Sequence, residues 1–438
     1  MHRVIGATPA TVAPTPLILI GVSGHILTLA VMVLLARQLS IDAFETFVAA
    51  AAIFTILVAS APFGVDKLSL LVLPRLHRRG DWAAIADFLR FAVRRAAFGI
   101  VAMAAVGVTW IYSSGPAAHL PEERLALLLA VLVLPVGVAA YMGFEVLTAL
   151  GCARQAAGIF RVGSPSIVLA VVAATGLAGT NLTSAGAIMI WGLGWLIGAV
   201  ALWEALGRLR SPAPRGSPDA RKCRTWCRTA LPLWAYRVGF ALMANAGIIA
   251  LHRLGHPANV VGSYAAAATV ATLMSVVVTS TNRAYSRELA LLIDIGDETA
   301  IRAIVLARWR WLLPAVGGFL TIVFLVPDRI LLIFGPAFVA EGVLPLQILA
   351  TAGALSMVLA LTPTRLKHTG RHGLVLGAMA FALFLQVLLL VMLVPEGGAS
   401  GAAMSFLAGI AGLHLFMAFG DRGSHARKHV EKTNGTLT

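Results

Sequence analysis

The stretch PLILIGVSGHILTLAVMVLLARQLSIDAFETFVAAAAIFTILVASAPFGVDKLSLLVLPRLHRRGDWAAIADFLRFAVR (16–94) occurs twice in this chain. Shifted by 216 positions without a gap, Pro16-Leu17 falls on Pro232-Leu233, Arg37 on Arg253, Gly80-Asp81 on Gly296-Asp297 and Arg94 on Arg310. Asp66-Lys67 falls on Asn282-Arg283, which keeps a polar residue followed by a cation. Alanine and leucine matches are cheap in an apolar chain, but proline, arginine and Gly-Asp matches at one offset are not. A long-period repeat takes precedence over local patterns, and here it divides the protein into two copies of one unit fused head to tail.

Of 438 residues, 59% are hydrophobic and 12% charged, and the mean hydropathy is +0.88. Soluble domains carry about 25% charged residues, so this chain reads as a multi-pass membrane protein. The net charge of +15 would suggest nucleic acid in a soluble protein. Here the cations lie in loops between apolar runs, where they set membrane topology, and no nucleic-acid partner is expected. Cys223 and Cys227 lie four apart with no further Cys or His at ligand spacing, short of the three or four ligands zinc requires. No metal, cofactor or disulfide framework is predicted. The first apolar run exceeds a signal-peptide core of roughly 7–15 residues and is read as a retained helix.

Twelve runs are long enough to cross a bilayer as helix, at about 20 residues each: 17–36, 43–63, 91–112, 125–147, 157–178, 184–206, 230–251, 259–280, 309–332, 340–361, 373–394 and 398–419. With both termini cytoplasmic, 29 Lys and Arg fall on the inner side, some of them at the inner ends of spans, and 4 on the outer side, with Arg237 left about two turns inside a span. That asymmetry selects the orientation. The predicted organisation is a six-helix lobe over 1–206, a basic linker over 207–229, a second six-helix lobe over 230–420 and a basic, disordered tail over 421–438. An even number of helices per unit makes the repeats parallel, with a cavity expected between them near the midplane. Residues 81–95 and 297–310 each follow Gly-Asp and are read as surface helices on anionic lipid, Asp favouring a helix start. Pro62-Phe63-Gly64 and Thr279-Ser280-Thr281 are weak breakers near the inner ends of runs two and eight.

No phosphate-binding glycine loop, nucleophile elbow or paired intramembrane carboxylate is present. The pattern favours moving a substrate over converting one. Ionisable groups inside spans are costly and mark functional candidates. Arg237, Asn245 and His252 share one broad face of helix seven: they either grip a phosphate in a central cavity, or Arg237 snorkels and His252 sits at the outer interface. His25, mid-helix one, either titrates in a cavity or bonds a neighbouring helix. Glu145 either pairs with Arg154 or Arg161 or serves as a coupling proton site. Asp66, Lys67, Asn282 and Arg283 close helices two and eight and form either a headgroup-entry gate or ordinary cationic flanks. The aromatics Trp110, Tyr112, Trp191, Trp195, Trp203, Trp226, Trp234, Trp309 and Trp311 are mostly near predicted interfaces, as belts require.

The runs 34–67 and 80–85, ALPLWAYRV (230–238), VGSYAAAATVATLMSVV (261–277), GDETAI (296–301), LIFGPAFVAEGVLPLQILA (332–350) and VPEGGASGAAMS (394–405) together resemble polysaccharide-biosynthesis flippases. These belong to the multidrug/oligosaccharidyl-lipid/polysaccharide (MOP) exporter superfamily. The resemblance spans nearly the whole chain, with Phe47 standing where many relatives have Gly-Tyr. It implies an all-α, V-shaped pair of six-helix lobes around a cationic cavity. It also implies alternating access that carries an undecaprenyl-diphosphate-linked glycan across the bacterial inner membrane for O-antigen, exopolysaccharide or capsule synthesis. Anionic lipids, a polysaccharide polymerase and chain-length proteins are the implied partners. The rivals are a cation-coupled small-molecule antiporter, which needs cavity acids, and a membrane-embedded glycan polymerase or transferase.

Overall fold

A computed structural model of the chain describes residues 16–113, 121–209, 220–295, 297–368 and 371–435. Over 274–288 nearly the whole stretch is described as backbone alone, so the side chains of Asn282 and Arg283 lie outside the described residues. Among the described residues there is no strand. The first half runs α1 (Pro16–Gln38), α2 (Ile41–Ser60), α3 (Val65–Arg78), α4 (Trp82–Ser113) and α5 (Pro121–Ala149). It continues with α6 (Ala153–Ala157), a π-helical turn (Gly158–Gly163), α7 (Ser164–Leu177) and α8 (Ser184–Leu209). The second half runs α9 (Ala220–Arg253), α10 (Ala258–Ile295), α11 (Glu298–Leu325), α12 (Pro327–Leu332) and α13 (Val339–Val358), then α14 (Leu361–His368) and α15 (His372–Gly435).

Among the described residues, ten stretches are long and apolar enough to cross a membrane. One of them, His372–Gly420, has 49 residues; at about 1.5 Å per residue it is roughly 74 Å long, over twice a hydrocarbon core of about 30 Å. It bends at Gly398, whose φ is 48°, and so supplies two crossings. The apolar stretch Ala258–Leu273 in α10 brings the count to the twelve expected.

The two halves are related by their contacts. α1 packs on α10 and α2 on α9 across the seam, a pattern preserved when α1 is exchanged with α9 and α2 with α10. Inside the halves, α2 on α5 mirrors α10 on α13, and α4 on α5 mirrors α11 on α13. These are two parallel-related lobes. Lipid offers no hydrophobic incentive for helices to associate, so packing density decides which helices lie inside. α2 and α5 bury 56% of their apolar windows, α9 only 17%; the former pair form the interior of the first lobe.

The structure revises several local expectations. Asp81 and Asp297 do cap helices, accepting from the amides of Ala84 (2.9 Å) and Ala300 (3.0 Å). The helices they start are not separate surface segments, because α4 and α11 run on unbroken into the membrane. Asp297 also accepts from the Thr299 hydroxyl (2.6 Å), and these donors hold its carboxyl below the usual range. The basic segment before helix seven is not wholly linker: α9 begins at Ala220, and Trp226 packs on Phe88 and Phe91 of α4, each at 5.2 Å. The tail over 421–435 continues α15 as helix.

Candidate functional site

The site begins at a break in the chain. Pro62 removes an amide donor and stiffens its surroundings, and the chain leaves α2 through Phe63 (φ 48°) and Gly64 (φ 78°). Left-handed φ at Gly64 carries no Cβ penalty, and a Cβ there would run into the carbonyl oxygen of Ala230 on α9. The close approach is pinned by Trp234, whose Nε1 donates to the Ser60 carbonyl at 2.8 Å, with its ring 5.6 Å from that of Phe63. α3 therefore starts within the bundle, and the dipole at its first turn favours a carboxylate.

Two consecutive residues in that turn face different partners. Asp66, 1% exposed, forms an ion pair with Arg237 of α9, so this pair joins the lobes. The Arg237 guanidinium lies over the Tyr141 ring at 4.8 Å, an arrangement that adds quadrupole attraction. Lys67 instead pairs with Glu145 of α5. The lysine side chain is 37% exposed and the carboxylate 4%.

Lys67 and Glu145 also line a cavity of about 440 Å³ inside the first lobe. Its polar wall includes His25 and Thr28 of α1, Arg161 and Ser164. Its aromatic wall is Tyr141, Phe160, Trp191 and Trp195, with Trp195 at 5.4 Å from both Tyr141 and Phe160 and 5.7 Å from Trp191. The π-helical turn presents Arg161, and α1 approaches it so closely at Gly24 that a Cβ would meet the Arg161 backbone. His25 Nδ1 lies 3.2 Å from the Gly21 carbonyl. The second lobe holds a cavity of about 250 Å³ of another kind: Phe240, Ala244, Met357 and Phe406 dominate, with Tyr264, Thr272 and Ser356 as its polar groups.

Opposite the charge-rich end, the lobes are sealed. Arg37 donates from Nε to the Ile333 carbonyl (2.7 Å) and from Nη2 to that of Leu332 (3.3 Å). Phe44 packs on Phe338 at 5.4 Å. His252 of α9 sits between two carboxylates of the first lobe, with Nδ1 2.6 Å from Glu45 and Nε2 3.2 Å from Glu123. Arg253 lies over Trp110 at 4.3 Å.

The expected residues are thus distributed over three places. His25, Lys67 and Glu145 share the first-lobe cavity. Arg237 is not among its lining residues; it stands on Tyr141 with Asp66. His252 is in the seal, and Asn245 donates to the Ala241 carbonyl of its own helix at 2.8 Å. Glu145 is met by Lys67, a partner outside the pairs expected from the sequence. Trp191 and Trp195 line the first-lobe cavity. Glu45, Glu123, Tyr141 and Phe160 carried no sequence signal: the first two look like helix-start acids and the others like core.

No protein-family model and no curated protein matches the chain. Solved structures do. An inward-facing multidrug-resistance MATE family transporter of the MOP superfamily aligns with a TM-score of 0.74 at 11% identity, covering 93% of this chain and 96% of that one. An outward-facing structure of such a transporter aligns at 0.61 and 14% identity, covering 94% and 95%. A MOP superfamily transporter from Pyrococcus furiosus, described as having a binding pocket of reversed polarity, aligns at 0.64 and 13% identity, covering 94% and 93%. The chain has the fold of these transporters.

Proposed function

We propose that this protein is an alternating-access exporter of a polyprenyl-diphosphate-linked oligosaccharide, working in a bacterial inner membrane to supply surface polysaccharide. The observation that supports it is the lining of the first-lobe cavity, where Lys67, Arg161 and His25 face a single carboxylate, Glu145. Lysine and arginine provide the charge-assisted donors that phosphate oxygens accept. Trp191, Trp195 and Tyr141 offer flat apolar faces suited to the C–H faces of sugar rings, and the polyprenyl tail remains in lipid.

On this reading, the phosphates take Lys67 from Glu145. Asp66 is the neighbouring residue and holds Arg237 of the other lobe, so a shift of the α3 first turn on binding reaches the seam between lobes. Arg237 is then a coupling residue beside the cargo site. Asn282 and Arg283 keep the proposed role of charge-rich-end entry.

The test replaces Lys67 with Gln and with Arg and follows surface polysaccharide and lipid-linked precursor in cells lacking other flippases. Lys67→Gln is expected to lose surface polysaccharide and accumulate precursor, while Lys67→Arg retains part of the export. Normal polysaccharide in the Gln variant at normal protein level sinks the assignment of the cavity. The apolar second-lobe cavity favours a second reading, export of a small apolar compound; drug sensitivity of the deletion strain with intact polysaccharide would select it.

A further inference from the structure

We infer that the seal is a proton-binding site: His252, Glu45 and Glu123 together hold one proton while the charge-poor ends of the lobes are shut and surrender it when they part. This rests on the alternating-access reading above. The two ring nitrogens of His252, on α9 of the second lobe, face carboxylate oxygens of α2 and α5 of the first, at 2.6 Å and 3.2 Å. The three side chains are only 7%, 14% and 16% exposed. Ionised carboxylates accept and cannot donate, and a neutral imidazole has one N–H. A neutral ring here would turn its lone pair on an anion at short range in a medium that screens poorly. One additional proton removes the conflict, whether it resides on the ring or is shared with an oxygen.

Among the described residues, the neighbouring charged and titratable groups have contacts of their own, and His256, in the turn after α9, lies beside Gly398 of α15. Arg253, on the same helix, lies over Trp110 of α4. Arg124 of α5, next to Glu123, lies over Tyr112 at 5.9 Å, and Arg37 of α1 donates to the Leu332 and Ile333 carbonyls. Thr46 donates to the other oxygen of Glu45 at 3.4 Å. Asp42 and Glu122 stand in the first turns of α2 and α5, and α10 and the turn before α13 present Gly262 and Phe338. Arginine stays protonated throughout the working range and Asp42 and Glu122 are exposed, which leaves the histidine, enclosed between two carboxylates, as the group whose protonation closure changes. The repeat supplies no second copy: the positions matching His252 and Glu45 are Ala36 and Val261.

When the lobes part, His252 enters water, where a histidine loses its proton near about pH 6.5. Closure takes up a proton and opening releases one, so acid holds the seal shut. By linkage, each pH unit above about 6.5 weakens closure about tenfold until the closed cluster itself deprotonates.

The experiment uses the full chain in lipid nanodiscs, with native cysteines replaced by Ser and spin labels on Ile41→Cys and Leu254→Cys. These positions are exposed, on opposite sides of the seal. Electron-spin distances are measured from pH 5 to 9, with and without a short-chain isoprenyl diphosphate sugar. The wild-type open-to-closed ratio is expected to rise about tenfold per unit above pH 6.5. His252→Gln and the Glu45→Gln/Glu123→Gln pair are expected to flatten the profile, and His252→Lys, which keeps a cation, to stay shut across the range. A His252→Gln profile that still follows the wild type overturns the inference alone. A seal that never opens, at any pH or with the probe, removes the alternating-access reading and the proton site with it.

Discussion

The two lobes repeat one pattern of helix contacts, yet they differ where their chemistry lies. In the first, the chain breaks at Pro62-Phe63-Gly64 and restarts as α3 with Asp66 and Lys67 in its first turn; in the second, α10 continues as helix through Thr279-Ser280-Thr281. The first lobe has a cavity with cations and tryptophans, the second a mostly apolar one. A three-residue break thus converts a helix interior into a helix start, with amides and two charges delivered inside the bundle. The lobes share a frame, and differences at a few positions make one of them polar.

That contrast can be broken at graded cost. The largest expected effect is at the bond between the lobes: Arg237→Ala leaves Asp66 buried without a partner, which costs about 3–5 kcal/mol and shows as a large fall in the detergent melting temperature. Restoring neutrality with Asp66→Asn in the same chain is expected to recover most of that loss. No recovery would mean that Arg237 acts by packing alone. Next, Lys67→Gln is expected to lower export at least tenfold, whereas its second-lobe counterpart Arg283→Gln lowers it less than twofold; equal losses would erase the asymmetry between the lobes. Gly64→Ala, strained at φ 78° and crowded by α9, is expected to cost about 1–3 kcal/mol and reduce export, while Gly→Ala at the open position Gly317 changes little. The smallest effect belongs to a feature both lobes share. Asp81→Ala and Asp297→Ala remove equivalent helix caps and are expected to give small, similar drops in melting temperature. The Asp297 carboxyl is held below its usual range, so its contribution is present at neutral pH and above and fades in acid as the carboxylate protonates.

The frame was legible because its signals are local and repeated. Run length marks the crossings, Gly-Asp marks two helix starts, and the offset of 216 pairs the halves. The ion pairs were not legible, because each joins residues with no periodic relation: Lys67 and Glu145 are 78 positions apart, and His252 and Glu45 are 207 apart. Asp66 and Lys67 are neighbours in sequence but meet different partners, because the left-handed exit from α2 starts α3 inside the bundle and successive helix positions diverge by about 100°. Arg161 reaches its cavity through a π-helical turn whose extra residue per turn leaves no mark on an apolar pattern.

The first two turns of α9 rest on the opposite lobe, with Trp226 between Phe88 and Phe91 and the Cys227 sulfur accepting from Arg95 at 3.3 Å. The peptide connection between α8 and α9 is therefore not what keeps the halves together on that side. Two genes encoding the halves separately, divided within residues 210–219, should yield fragments that find each other in the bilayer and copurify. Replacing Trp226 by Ser should then weaken that reassembly more than any lengthening of the removed connection would weaken the intact chain.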